Sequence, residues 1–302
     1  MKPRLLPLIL LGVSLAGCHS ISPEALAPLP PETAPVRFLL TFDDGPSVRE
    51  GYNPTLAIHE QLANNPVQPG IKAIFFVQTR NRNGGGTARG KEILRQALAA
   101  GHVIGLHSGS ARGHIRHTKM SPEELAQSLI DGKADIAALT GEAPRFVRPT
   151  FWGHNESTRR IYAENGLEML LTDINGADGS RLAFHTWFNR YSHIRAELEH
   201  VRAALARNDM PVWNGRTPVV VTFHDLNVDT AQHLTEYLAM LVDDARQLGI
   251  PLDEKPFYDR APDATAVAAQ RTTPPESVVE VRRHWAARKQ TRAALLVPAT
   301  AN

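Results

Sequence analysis

The chain has 302 residues, 42% hydrophobic and 21% charged, the composition of a globular protein with a sizeable core rather than of a mini-protein, a disordered chain or a many-pass membrane protein. Its 33 Lys and Arg against 31 Asp and Glu give a formal +2, so the chain as a whole carries no electrostatic footprint for nucleic acid. One cysteine excludes an internal disulfide and any metal site built on several thiolates, which leaves His and carboxylate as the available ligands.

At the start of the chain, Lys2 and Arg4 precede an apolar run from Leu5 to Ala16. It is shorter than the roughly 20 apolar residues of a bilayer-spanning helix and reads as an export signal over residues 1–17. The run ends in Leu15-Ala16-Gly17-Cys18, which resembles the lipobox of bacterial lipoproteins. The resemblance implies cleavage before Cys18 and lipidation of that thiol, giving a membrane partner through several acyl chains. His19, rather than Asp, follows the cysteine, which favours the outer membrane with the protein facing the periplasm. Residues 18–35 carry five prolines between Ser22 and Pro35 and are expected to form an extended, semi-rigid spacer.

Folded structure is expected from Val36. Apolar runs at Val36–Phe42, Ile71–Val77, Val103–Leu106, Arg145–Arg148, Met169–Thr172 and Val219–Phe223 read as strands, each followed by a helix candidate. Ser121-Pro122-Glu123-Glu124 predicts a capped helix start leading into Leu125, Leu129 and Ile136 on one face. Thr230 to Leu248 predicts another helix, with Gly249 as its stop. This α/β alternation predicts a parallel sheet covered by helices, open or closed into a barrel, with any active site at the strand C-terminal ends. Asn81–Gly90, with three consecutive glycines, reads as a mobile rim loop. The long aromatic stretch from Gly176 to Pro218, with Phe184, Trp187, Phe188, Tyr191 and Trp213, fits satellite core better than a sugar-stacking wall. Residues 256–302 turn rich in Ala, Pro and Arg, and beyond Pro262 a solvated, weakly ordered tail is expected.

Chemistry gathers at the strand ends. The first strand runs into Thr41-Phe42-Asp43-Asp44-Gly45-Pro46-Ser47, and the third ends at His107-Ser108 with His114 and His117 nearby. The fourth ends at Arg148-Pro149, the fifth leads to Asp173 and Asp178, and the sixth ends at His224-Asp225. Acids, histidines and an arginine converging on one face single out these residues, where any one histidine alone would read as an ordinary core or surface residue.

In this order the motifs resemble the polysaccharide deacetylase family, family four of the carbohydrate esterases, over roughly Val36 to Pro251. The resemblance implies a deformed (β/α) barrel, residues 36–255 in domain terms, and a divalent metal. It assigns Asp43 as general base and Asp44 as a metal ligand. The family's second motif places two histidine ligands four residues apart. Here Ala111 stands at the fourth position after His107, and alignment back from Thr118–Glu124 puts the second ligand on His114 after a three-residue insertion, with His117 as competitor. The glycines at 109 and 113 would let this loop fold back. Arg148-Pro149-Thr150-Phe151 is similar to the family's arginine block with Thr150 in place of a proline. In it Arg148 orients the base and the Phe151 backbone N–H meets the oxyanion. His224 matches the family's catalytic acid, supported by Asp178, while Gly179 stands where a Trp is usual.

Asp44, His107 and His114 suit zinc as two imidazoles and a carboxylate, with cobalt, nickel and iron also compatible by ligand type. The activity implied is removal of N-acetyl groups from an N-acetylhexosamine-containing envelope or exopolysaccharide. O-deacetylation, or a non-catalytic carbohydrate-binding or assembly lipoprotein on the same scaffold, are the alternatives.

Overall fold

The structure, a computed structural model, describes residues 27–178 and 187–273, with side chains from residue 191 onward in the second stretch. Cys18, the 1–17 signal, Gly179, Phe184, the Ala-, Pro- and Arg-rich tail beyond residue 273 and the side chains of Trp187 and Phe188 lie outside what it describes. No helix among the described residues is long and apolar enough to cross a membrane.

Strand and helix alternate as β1 (Val36–Asp43), α1 (Pro54–Ala63), β2 (Ile74–Gln78), α2 (Ala88–Ala99), β3 (Val103–Ser108), α3 (Pro122–Thr140), β4 (Phe146–Val147), α4 (Glu156–Glu164), β5 (Glu168–Met169), β6 (Ile174–Asn175), α5 (Trp187–Ala206), β7 (Thr217–His224), α6 (Val228–Gln247), β8 (Leu252–Phe257) and α7 (Ala261–Arg271). The eight strands form one parallel sheet in the order β5-β4-β3-β2-β1-β7-β6, with β8 also on β1. It curls into a deformed (β/α) barrel. The expected strand at Met169–Thr172 is instead two short strands on opposite edges, β5 beside β4 and β6 beside β7. Between them the chain crosses the seam. There Thr172 Oγ1 donates towards Val220 O (3.0 Å), and the Val220 N–H donates to Asp173 Oδ2 (2.8 Å).

Alternation along β1 divides the core. Phe38, Leu40 and Phe42 pack outward with the helices, while Leu39 packs on the other face with Ile74, Phe76 and Val220. Helix ends follow the sequence signals. Ser121 and Glu124 complete a capping box at α3, and Gly249 leaves α6 with φ +68°.

Three expectations need correction. The tail does not begin as solvated chain, because α7 buries Ala264, Val267 and Ala268 against Leu39, Ile74 and Val220. Alanines bury little area each and give a weak sequence signal, which is why the helix was missed. The glycine loop is a compact turn rather than a loose rim: a Cβ on Gly85 would lie 2.5 Å from Gln78 O, and one on Gly90 would lie 2.1 Å from Gly84 O. The spacer's last residues lie on the domain, with Leu29 against the core and Ala27 O accepting from Arg202 Nη1 (2.7 Å). Tyr191 and Trp213 both pack against core clusters, consistent with satellite core.

Candidate active site

β1 delivers two carboxylates in succession to the C-terminal mouth of the barrel. Asp43 faces the interior and meets Arg148, which reaches across from the end of β4. The Arg148 guanidinium is fully buried and spends its donors on Asp43 Oδ1 (2.9 Å), Thr41 Oγ1 (2.6 Å), Leu170 O (3.0 Å) and Leu171 O (3.3 Å). It lies 4.2 Å from the centroid of the Phe76 ring. Burial pushes the guanidinium down from its usual range and the Asp43 charge opposes this, and arginine's high intrinsic basicity keeps the guanidinium charged. The carboxylate is thereby fixed in place and kept as an acceptor.

Asp44 breaks from the strand with φ +79°, a left-handed conformation that Asp adopts more readily than most residues. Its N–H donates to Phe76 O (3.1 Å), so the turn is tied to β2, and Gln78 Nε2 donates to its Oδ1 (3.2 Å). The next residue has to be glycine. A Cβ on Gly45 would fall 2.0 Å from Asp225 Oδ2.

His107, on β3, donates Nδ1–H to Arg148 O (2.8 Å), which fixes the ring with Nε2 towards Asp44 Oδ1 at 3.2 Å. His114 Nε2 lies 3.1 Å from the same oxygen and 3.2 Å from His107 Nε2. The loop between them folds back at Gly113, whose φ is +90°. It starts hard against α3, where a Cβ on Gly109 would meet Ser128 O at 2.1 Å. Thr150, which departs from the family's proline, donates its hydroxyl to Ile115 O (2.5 Å). The substitution therefore anchors the inserted loop, and the two departures noted in the sequence are one structural feature.

One atom from each of Asp44, His107 and His114 lies within 4.8 Å of the others. Ligand bonds of about 2.1 Å place neighbouring ligand atoms roughly 3.0–3.4 Å apart in tetrahedral or octahedral coordination, and the three separations above fall there, so the residues fit a divalent ion. Burial raises the Asp44 carboxyl, but the His107 hydrogen bond and the neighbouring imidazoles outweigh it and hold it below the usual carboxylate range. Burial pushes His114 down, favouring the neutral imidazole that a metal requires. His117 stands apart. It is fully buried, with Nδ1 2.7 Å from Tyr162 OH, and burial pushes it down to about 3.

His224 ends β7 directly beside Asp43 in the β1–β7 register. Its Nδ1 lies 2.7 Å from Asp178 Oδ1, and its N–H donates to Asp178 Oδ2 (2.7 Å). Burial alone would lower His224, but the charge and hydrogen bond of Asp178 raise it to about 10. Thr230 Oγ1 (2.6 Å) and Asn227 Nδ2 hold Asp178 in turn. Sequence reasoning did not single out Thr230 or Asn227 for the site, nor Gln78 or Thr55, and their positions at the end of β2 and the starts of α1 and α6 were the available signal. Asp225 is fully buried with Thr55 Oγ1 3.0 Å from its Oδ2, and burial raises its carboxyl to about 7. Phe151 sits in a turn over Thr150–Trp152 with φ +54°, its ring half exposed.

A buried carboxylate beside an imidazole raised by its own carboxylate partner, next to three residues that could hold a divalent ion, is an arrangement able to activate water and protonate a leaving group. Residues 31–170 match the model of the family described as polysaccharide deacetylase. Over these residues the chain is similar to the polysaccharide deacetylase family. The chain is 22% identical over 231 residues to a chitin deacetylase of Colletotrichum lindemuthianum, covering 74% of this chain and 84% of that one. It is 30% identical over 150 residues to a peptidoglycan-N-acetylglucosamine deacetylase of Bacillus cereus, about half of each chain (50% and 49%). For a Listeria monocytogenes peptidoglycan-N-acetylglucosamine deacetylase the match covers 26% of the relative. Among solved structures, the Colletotrichum lindemuthianum chitin deacetylase superposes with a TM-score of 0.54 at 17% identity, over 76% of this chain and 90% of that one. A domain of a multidomain xylanase from the hindgut metagenome of Trinervitermes trinervoides gives 0.53 at 16% identity, over 82% and 95%. Both share the fold.

Proposed function

We propose that this protein is a metal-dependent hydrolase that removes N-acetyl groups from an N-acetylhexosamine-containing envelope or exopolysaccharide, tethered through a lipidated Cys18. The observation that carries the reading is the meeting of Asp44, His107 and His114 within ligand distance of one another, beside an Asp43 held by Arg148 and paired in register with His224. Relatives named for chitin and peptidoglycan deacetylation support the substrate class.

A divalent ion, zinc by ligand type, would polarise the acetyl carbonyl and make water acidic enough to attack near neutral pH. Asp43 takes the proton of the attacking water at the oxygen that Arg148 leaves free. The Phe151 N–H is the chain's own donor for the oxyanion as the carbonyl carbon becomes tetrahedral. His224, kept protonated by Asp178, gives its proton to the sugar nitrogen as the C–N bond breaks, so acetate and a free amine leave.

The test is acetate release from defined acetylated oligosaccharides by zinc-loaded protein. Asp43→Asn should keep the metal, measured by mass spectrometry of the purified protein, while turnover falls about 10²–10⁴-fold. Metal loss in that variant, or unchanged turnover, would remove Asp43 from the role of base. For the anchor, Cys18→Ala should move the protein from the membrane to the soluble fraction, and a variant that stays wholly with membranes rejects the lipobox reading.

A further inference from the structure

The inserted loop that carries His114 also carries Arg116, and this residue has no function in the scheme above. Its stem lies against Gly153, where a Cβ would meet Arg116 Cγ at 2.3 Å and Cδ at 2.8 Å. Its guanidinium sits over the Phe151 ring, 5.5 Å from the centroid. The same ring stacks on His114, with centroids 4.2 Å apart and planes at 21°. The Thr150 hydroxyl bonded to Ile115 O fixes the backbone immediately before Arg116. The position is therefore built from three sides: a glycine that leaves room for the stem, an aromatic face under the head and a tied backbone.

What it lacks is an anion. Arg116 is exposed, and among the described residues no carboxylate lies within ion-pair distance of it. Arg112, four residues earlier in the same loop, shows the contrast by pairing with Glu124 at 2.7 Å. A guanidinium held rigid on an aromatic ring keeps its planar fork of donors ready for a carboxylate at small entropic cost. With His114 on the ring and the guanidinium over it, the half-exposed edge of Phe151 offers apolar contact to a sugar between that fork and the metal ligand.

Resting on the deacetylase reading, we propose that Arg116 and Phe151 form a subsite for a carboxylate-bearing sugar adjoining the acetylated unit. The polymer acted on is then an acidic one, its carboxylate supplied by a lactyl ether or by a uronic acid.

The experiment compares three hexosamine oligomers of equal length: neutral, lactyl-bearing and uronate-bearing. Acetate release and calorimetric binding are measured for the wild type and for Arg116→Met, which keeps most of the stem and removes the charge. The wild type should favour one of the acidic oligomers, and the one favoured identifies the source of the carboxylate. In Arg116→Met the ratio of acidic to neutral kcat/KM should fall about 10-fold or more, with a matching loss in the binding ratio, as expected for one charge-assisted contact. The preference should also shrink as salt rises. Equal losses on acidic and neutral oligomers would show that Arg116 only shapes Phe151 and would overturn the proposal, as would a wild type without acidic preference in binding. Absence of acetate release from every oligomer would sink the deacetylase reading, and the binding ratios would still judge the subsite.

Discussion

The histidines at the barrel mouth and those inside its wall make a useful contrast. His107, His114 and His224 each face a carboxylate within 3.2 Å. His59, His102 and His117 are buried, more deeply than His114 and His224, but meet aromatic rings or neutral groups. His59 lies edge-on to Phe75 and 5.4 Å from the His102 ring, His102 accepts from the Ala73 N–H (3.2 Å), and His117 faces Tyr162. Burial pushes these three down to about 4, 3 and 3, whereas Asp178 pushes His224 up to about 10. Burial alone therefore does not mark a reactive histidine. The charge placed opposite it does, because the same desolvation either neutralises an imidazole or strengthens its attraction to a carboxylate.

Removing a ligand should separate the two sets most sharply. His107→Ala and His114→Ala should each lose bound metal and at least about 10³-fold in turnover, since two remaining ligands hold a divalent ion poorly and several kcal/mol of carbonyl polarisation go with it. His117→Ala should keep full metal content while losing about 2–4 kcal/mol in urea denaturation, as a cavity opens and the Tyr162 hydroxyl loses a partner. Metal loss in His117→Ala alone would transfer the ligand role to His117.

Asp178→Asn sharpens the contrast within the mouth. With His224 raised, the protonated acid persists up to about pH 10, so kcat/KM should fall on the alkaline side only as pH approaches that value. Without that carboxylate, His224 loses the strongest of the interactions that raise it, with Asp43 and Asp44 left, and the alkaline limb should move down by more than one pH unit while turnover drops about 10-fold or more. A limb that stays in place would detach Asp178 from the proton donor.

The smallest effect belongs to the wall. A folded-state His59 at about 4 against 6.5 in the unfolded chain means that the unfolded state binds the proton first, so stability is lost as pH falls from about 6.5 towards 4. His59→Phe should reduce this acid loss by about 1–3 kcal/mol in denaturation curves compared at pH 7 and pH 4.5. Equal acid sensitivity in variant and wild type would show that His59 is already charged in the fold.

How much of this could be read from the sequence depended on how local each signal was. The β1 run and its Asp43-Asp44-Gly45 turn are contiguous, and the capping box at Ser121 is a four-residue pattern, so both were legible. β5 and β6 are two residues each and are held by partners on opposite sides of the barrel, which no window around residue 170 can contain. α7 was hidden because its buried face is built from alanines and one valine. At the site, the seven-position separation of His107 and His114 matches no fixed ligand spacing. Only the fold-back at Gly113 and the Thr150 tether bring the two imidazoles together. Gln78, Thr230 and Asn227 carry ordinary polar side chains, and their part in orienting Asp44 and Asp178 arises from the meeting of separate strand and helix ends.

Asp44 has a consequence for how such a protein ages. Its left-handed backbone, φ +79°, is a conformation that glycine adopts without strain, whereas a residue with a Cβ holds it at a cost of roughly 1 kcal/mol or more. The carboxylate is what keeps Asp there. In a lineage released from catalysis, replacement of this residue by glycine would relieve the strain at once, while the neighbouring Asp43 would still be needed to neutralise the buried Arg148. Position 44 is therefore where the record of lost activity would be written first, before the fold itself had changed.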